Sequence, residues 1–399
     1  MQNKRNLVIL FVTLVIMMMG FGIIIPILPD LVVTFGGTGV AMGALMAIFS
    51  AMQFLFSPMW GGLSDRFGRK PILMLGVFGN AISMLALGLS TELWMLFAAR
   101  GLAGILSSAT LPTAMAYISD STDEKSRGGG MGVIGAAMGL GMVLGPGAGG
   151  LLSAISLQAP FYFAAGLSLL AMFAIWLFLP ESLGVEKRDI TVKLQGPQLR
   201  AMWQSLFGPL AFLFIAAFMI SFAMTNFEGI YAYYAKERYG YEPHTIGIIL
   251  TAIGVVSVIA QGALTGIATR KFGEANVIKT SLIASVVGFL VMLLANNLTM
   301  VILTSSFFVL ANAMLRPAVS SLISQRTTQG QGIAMGLNNA YMSLGRVIGP
   351  LWAGVVIDIN LYFPFITGAI IMLIGFIASL IYLKETPLTT STPAIESAD

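Results

Sequence analysis

The chain has 399 residues, of which 57% are hydrophobic and 10% charged, with a mean hydropathy of +0.89. Soluble domains carry about 25% charged residues, so a soluble enzyme is excluded and lipid is the expected solvent. Zero cysteines and one histidine, His244, exclude a disulfide framework, an iron–sulfur cluster and a Cys/His metal site; no metal or cofactor is expected. The formal charge of +4 does not indicate nucleic acid, because the basic residues are scattered through short loops without a basic, aromatic-lined face.

An unpaired backbone group in the bilayer core costs several kcal/mol, which leaves helices and closed barrels as spanning structures. Apolar runs of about twenty residues select helices over the shorter alternating segments of a barrel. The first run, Leu7 to Leu28, follows Lys4 and Arg5 and lacks a small-residue cleavage site, so it reads as a retained helix with its start inside. Spans are predicted near 7–29, 40–62, 71–90, 94–118, 129–153, 159–179, 206–232, 244–268, 277–295, 299–324, 333–356 and 361–383: an all-α polytopic protein of twelve transmembrane helices.

The longest charged connection, Glu181 to Arg200, divides six spans from six. The expected organisation is a six-helix half over 1–180, a cytoplasmic linker over 181–205, a second half over 206–384 and a disordered cytoplasmic tail over 385–399, rich in Thr, Ser and Pro. Sixteen of the 21 Lys and Arg residues fall at the ends of spans on one side, including the loops near 66, 125, 190, 271 and 326. The positive-inside rule therefore places both termini in the cytoplasm of a multi-pass cell-membrane protein. Lys236 and Arg238 face outward, and three arginines remain within spans.

A shift of about 205 positions superposes the chain on itself. Gly61, Phe67 and Gly68 meet Gly266, Phe272 and Gly273; Pro112, Ile118 and Ser119 meet Pro317, Ile323 and Ser324; at 204, Gly145 and Pro146 meet Gly349 and Pro350. Two related six-helix halves are the arrangement of a rocking carrier with its site between them near the midplane.

The loop between the second and third spans reads GGLSDRFGRKPIL, Gly61 to Leu73. Its glycines permit a tight turn, and Asp65, Arg66, Arg69 and Lys70 can form a charge network beside Gly68. The fifth span holds eleven glycines between Gly128 and Gly150 and ends in GMVLGPGAGG, including Gly141, Gly145, Pro146, Gly149 and Gly150; such residues allow close helix packing and a bend at the proline. LFAARGLAG surrounds Arg100 in the fourth span, and GFGIIIPILP ends the first.

These motifs resemble those of the major facilitator superfamily, and among its members the twelve-helix drug:H⁺ antiporters, close to the Gram-positive multidrug efflux pumps of the NorA, Bmr and Blt type. The resemblance implies that the Gly61–Lys70 loop is a cytoplasmic gate in which Asp65 meets the positive end of a helix in the other half. It also makes the fifth-span glycines an antiporter motif. In the second copy, GIATRKFGE, Arg270 stands in place of Asp65 and Glu274 in place of Arg69, a departure from the charge pattern of the latch. The cluster Asp120, Asp123 and Glu124 reads as a solvated turn, and His244 as a helix-start residue after Pro243.

Glu228 is the carboxylate set well inside a span and is the expected proton-coupling residue. Ser221 and Thr225 precede it at helical spacing, predicting one polar stripe towards a cavity. Arg100, Tyr231, Asn312, Arg316, Asn339, Ser343 and Arg346 complete the predicted substrate lining. Where the resembled pumps carry an aspartate three residues before an Arg-Pro pair, this chain has Ala313. Three embedded arginines against one glutamate suit an anionic or zwitterionic substrate better than a bare cation.

The function expected is export of amphipathic drugs or related small molecules in exchange for protons, by a monomer in the lipid bilayer. The alternative on the same fold is symport or uniport of a narrower solute such as a sugar or organic anion. A polytopic enzyme would need clustered acids, bases or metal ligands, and no phosphate-loop motif is present for ATP.

Overall fold

The computed structural model describes residues 2–122, 124–188, 196, 199–327 and 330–383. The predicted tail 385–399 and most of 189–198 in the predicted linker lie outside the described residues. Among the described residues twelve helices are long and apolar enough to cross a membrane: α1 (Arg5–Ile24), α2 (Gly39–Phe67), α3 (Arg69–Gly88), α4 (Leu93–Ser121), α5 (Gly129–Ser153), α6 (Ala159–Phe178), α7 (Ala211–Tyr239), α8 (Pro243–Phe272), α9 (Glu274–Met292), α10 (Leu298–Arg326), α11 (Gln331–Ile359) and α12 (Phe363–Tyr382). Short helices Leu28–Thr34 and Leu199–Ser205 lie between spans.

Local chemistry explains the ends. Proline enters the first turn of α6, α8 and α12, where its missing N–H costs nothing. The sharp α2–α3 and α8–α9 junctions turn on Gly68 (φ +106°) and Gly273 (φ +78°), 205 residues apart, a backbone region that side chains disfavour. Helix α7 runs to Tyr239, seven residues past the predicted end. It carries Lys236 and Arg238 in its last turn before left-handed Gly240; loss of apolarity marks the end of the lipid slab there, not the end of the helix. Helix α4 breaks at Ser108–Ala109, where Pro112 cannot donate back to the carbonyl four residues earlier.

Helices α1–α6 pack on one another, as do α7–α12, and the two groups meet along α2–α11 and α5–α8. Both seams use the repeat. Helix α5 presents Gly141, Gly145 and Gly149 to α1, so a Cβ on Gly145 would lie 2.7 Å from the Met19 carbonyl oxygen. Its Gly147 and Gly150 face α8. In α11, Gly345 and Gly349 face α7, whereas Pro350 and Gly354 face Gly43 of α2. Gly247 of α8 takes the seat of Gly43, with the Pro146 carbonyl oxygen 2.5 Å from its would-be Cβ.

These close approaches lie in the part of the molecule away from the termini. Towards the termini, a side chain added at Gly61, Gly129, Gly132, Gly135, Gly262, Gly332 or Gly336 would meet nothing within 4 Å. The two halves are thus shut at the far end and parted at the end that carries the termini.

Candidate transport site

Three charged side chains stand in the middle of second-half spans: Glu228 on α7, Arg316 on α10 and Arg346 on α11. Each guanidinium acts electrostatically on Glu228, and Arg316 acts on Arg346 as well. Among the described residues no direct ion pair joins them. Arg346 donates from Nη2 to Ser343 Oγ at 3.1 Å. Arg316 and Asn339 are exposed, and Glu228, Ser343 and Arg346 are half-buried. An arginine facing lipid at this depth is costly, so the exposure of Arg316, within electrostatic reach of Glu228, is to the cleft between the halves. Glu228, Arg316 and Arg346 thus form one electrostatic group, with Ser343 bonded to Arg346.

The other predicted lining residues are buried or bonded between helices in this arrangement. Ser221 is buried and donates to the Met342 carbonyl (2.7 Å), and Thr225 reaches the carbonyls of Ser221 (2.8 Å) and Gly345 (3.1 Å). Both hydroxyls hold α7 to α11, so the predicted stripe Ser221–Thr225–Glu228 is divided between a helix contact and the cleft. Tyr231 is buried and accepts from Ser305 Oγ at 3.1 Å. Asn312 is buried with its Nδ2 unpartnered. Arg100 is buried within the first half, donating to the Leu45 carbonyl at 3.2 Å and to Met46 Sδ at 3.3 Å, with its guanidinium 4.7 Å from the Phe49 ring centre.

The charged loop forms one network inside the first half. Arg69 is bound by Asp65 (2.5 Å), Ser64 (2.6 Å) and Asp120 (2.9 Å), while Glu181 accepts the backbone N–H groups of Arg69 (2.9 Å) and Lys70 (3.2 Å) that open α3. Lys70 Nζ donates to the Trp176 carbonyl at 2.8 Å, and Arg66 is exposed. Asp65 contacts its own half here, as the parted end requires, and not a helix of the other. Asp120 is corrected from solvated-turn residue to a partner of Arg69 in the last turn of α4, because the helix continues past the apolar run; Asp123 lies outside the described residues. In the second copy, Glu274 accepts from Ser321 (3.0 Å) and Gln325 (2.7 Å). Glu274 matches Arg69 and Gln325 matches Asp120 at a shift of 205, a signal the repeat contained and charge identity concealed.

Twelve antiparallel spans in two related halves, with ionisable groups in a cleft between them, define a multi-pass membrane transporter. The family model of the Major Facilitator Superfamily matches residues 10–227 and 213–398, and the chain belongs to that family. It is 32% identical to multidrug resistance protein 1 of Bacillus subtilis (strain 168) over 98% of this chain and all of the relative. It is 28% identical to the quinolone resistance protein NorA of Staphylococcus aureus (strain COL) over 95% and 96%. Among solved structures, that of the human organic anion transporter MFSD10 (TETRAN) aligns with TM-score 0.67 at 25% identity, over 94% of this chain and 99% of that one. The resemblance read from the motifs is thereby established at the level of family and fold.

Proposed function

We propose that the protein is a proton-coupled exporter of amphipathic small molecules, including antibiotics, working as a monomer with both termini in the cytoplasm. The observation that carries this reading is Glu228: a carboxylate at membrane depth, beside Arg316 and Arg346 yet bonded directly to neither. A group so placed exchanges its proton with the cleft at little structural cost. Substrate from the cytoplasm or inner leaflet enters the parted end and engages Glu228, Arg316, Asn339, Ser343 and Arg346. The halves 1–180 and 206–384 then rock about the linker, and a proton from outside takes the substrate's place at Glu228. The Gly61–Lys70 loop closes the cytoplasmic end in the alternate state, and the α5 glycines form the packed surface on which the halves move. Kinship to proteins named for multidrug and quinolone resistance supports drug export.

The second reading, transport of an organic anion by symport or uniport, is favoured by the two guanidiniums against one carboxylate. It also agrees with the organic anion transporter among the structural neighbours. Reconstitution under an imposed pH gradient separates the two. Export requires that a fluorescent amphipathic drug move against the proton flux, that Glu228→Gln abolish the movement, and that a protonophore do the same. Anion flux running with the proton gradient, with no drug movement, would replace export by the second reading.

A further inference from the structure

Between described residues, hydrogen bonds and ion pairs join residues 2–188 to residues 199–383 at two places, both at the shut end. The Asp358 carboxylate, in the last turn of α11, accepts the backbone N–H groups of Gly39 (2.8 Å) and Val40 (2.9 Å), which open α2. Lys236, in the last turn of α7, pairs with Asp30 in the helix Leu28–Thr34. Helix α2 has no side-chain cap of its own from Thr38, so its first donors and positive end are satisfied across the seam by a carboxylate from the other half.

The repeat separates what both seams need from what one seam adds. Gly43, Pro350 and Gly354 on α2–α11 recur as Gly247, Pro146 and Gly150 on α5–α8. The position matching Asp358 is Ala154, and those matching Asp30 and Lys236 are Tyr234 and Val32. Among the described residues the α5–α8 seam is therefore held by non-directional packing, and its buried Thr251 hydroxyl, beside Gly147, has no partner there. Packing of glycine against backbone slides and parts gradually, whereas charge-assisted hydrogen bonds are either made or broken.

We propose that Asp358 and the Asp30–Lys236 pair form a one-sided bolt on the outer gate. They pin α2 to α11, so that the outer end parts first between α5 and α8 and opens fully only when the bolt releases. This rests on the alternating-access part of the proposed function, with the shut end outside, and is independent of proton coupling and of substrate.

The test uses the absence of cysteine in the chain. Spin labels are placed at Thr34 and Asn360 for the bolted seam and at Ile155 and Glu242 for the other, all exposed positions, and distances are measured in lipid nanodiscs without a proton gradient. Expected are a narrow distribution across α2–α11 and a broad one across α5–α8. Asp358→Ala and Lys236→Asp should each increase the long-distance population across α2–α11 several-fold. Asp358→Glu and the swap Asp30→Lys with Lys236→Asp should restore the narrow form. Equal widths at both seams in the unaltered chain, or an unchanged α2–α11 distribution in Asp358→Ala and Lys236→Asp, would overturn the proposal. Where a single variant does not accumulate as folded protein, recovery of a narrow distribution by the swap supports the bolt, and failure to recover it counts against it. A chain that moves no drug but gives these distances keeps the bolt and loses the export reading.

Discussion

Arg69 of α3 and Asp120 of α4 meet at 2.9 Å, and 205 residues later Glu274 and Gln325 occupy the same two seats at 2.7 Å. The first pair is charged and its arginine side chain is 8% exposed; in the second the charge has changed sign on one helix and vanished on the other. The helix-to-helix bond has outlasted the chemistry that makes it. This relationship gives an ordered expectation. Asp120→Ala leaves a largely buried guanidinium with Asp65 and Ser64 alone and should cost about 1–3 kcal/mol, towards the lower end because those partners remain. Gln325→Ala, at an exposed and neutral donor, should cost about 0.5 kcal/mol or less. Thermal unfolding in one detergent, run on both variants, tests the order.

The glycines of the repeat differ in what surrounds them. A Cβ on Gly349 would fall 2.5 Å from Thr225 Oγ1 and 2.7 Å from the Phe222 carbonyl, both held by the α7–α11 contact. Gly349→Ala should therefore force the helices apart, lowering stability by about 1–3 kcal/mol and slowing transport. Gly132→Ala meets open space and should be neutral, or stabilising by up to about 1 kcal/mol through helix propensity. Equal losses in the two variants would show that packing at Gly349 is not what matters.

Arg100 is fully buried with no carboxylate partner among the described residues, bonded to a carbonyl and a thioether and stacked near Phe49. A buried charge contributes little to stability when a hydrophobic side chain can fill its place. Arg100→Met should thus unfold at the same or a higher temperature while gradient-driven transport falls by roughly tenfold, about 1.4 kcal/mol in rate. Unchanged transport would make the arginine purely structural.

Much of the fold was legible because lipid imposes a simple rule: a segment either satisfies its backbone internally or does not cross. The twelve spans, their pairing into halves and the Gly68 and Gly273 turns follow from apolar run length and a 205-residue repeat. The candidate site has one part that the sequence marks by its cost and one part that it does not distinguish. Glu228, Arg316 and Arg346 stand out because charge at membrane depth is costly. Ser221, Thr225 and Tyr231 look identical to cavity residues in sequence, since a hydroxyl on a helical stripe serves a carbonyl or hydroxyl of an adjacent helix as readily as a ligand.

Sequence by itself thus determined the solvent, the helix count, the repeat and the family, all consequences of local composition and periodicity along the chain. Tertiary structure alone decided which polar groups were used between helices, that Asp120 belongs to Arg69, and that Asp358 caps a helix more than 300 residues away. Those are contacts between elements distant in the chain, and their geometry depends on how two halves meet, which no spacing within either half encodes.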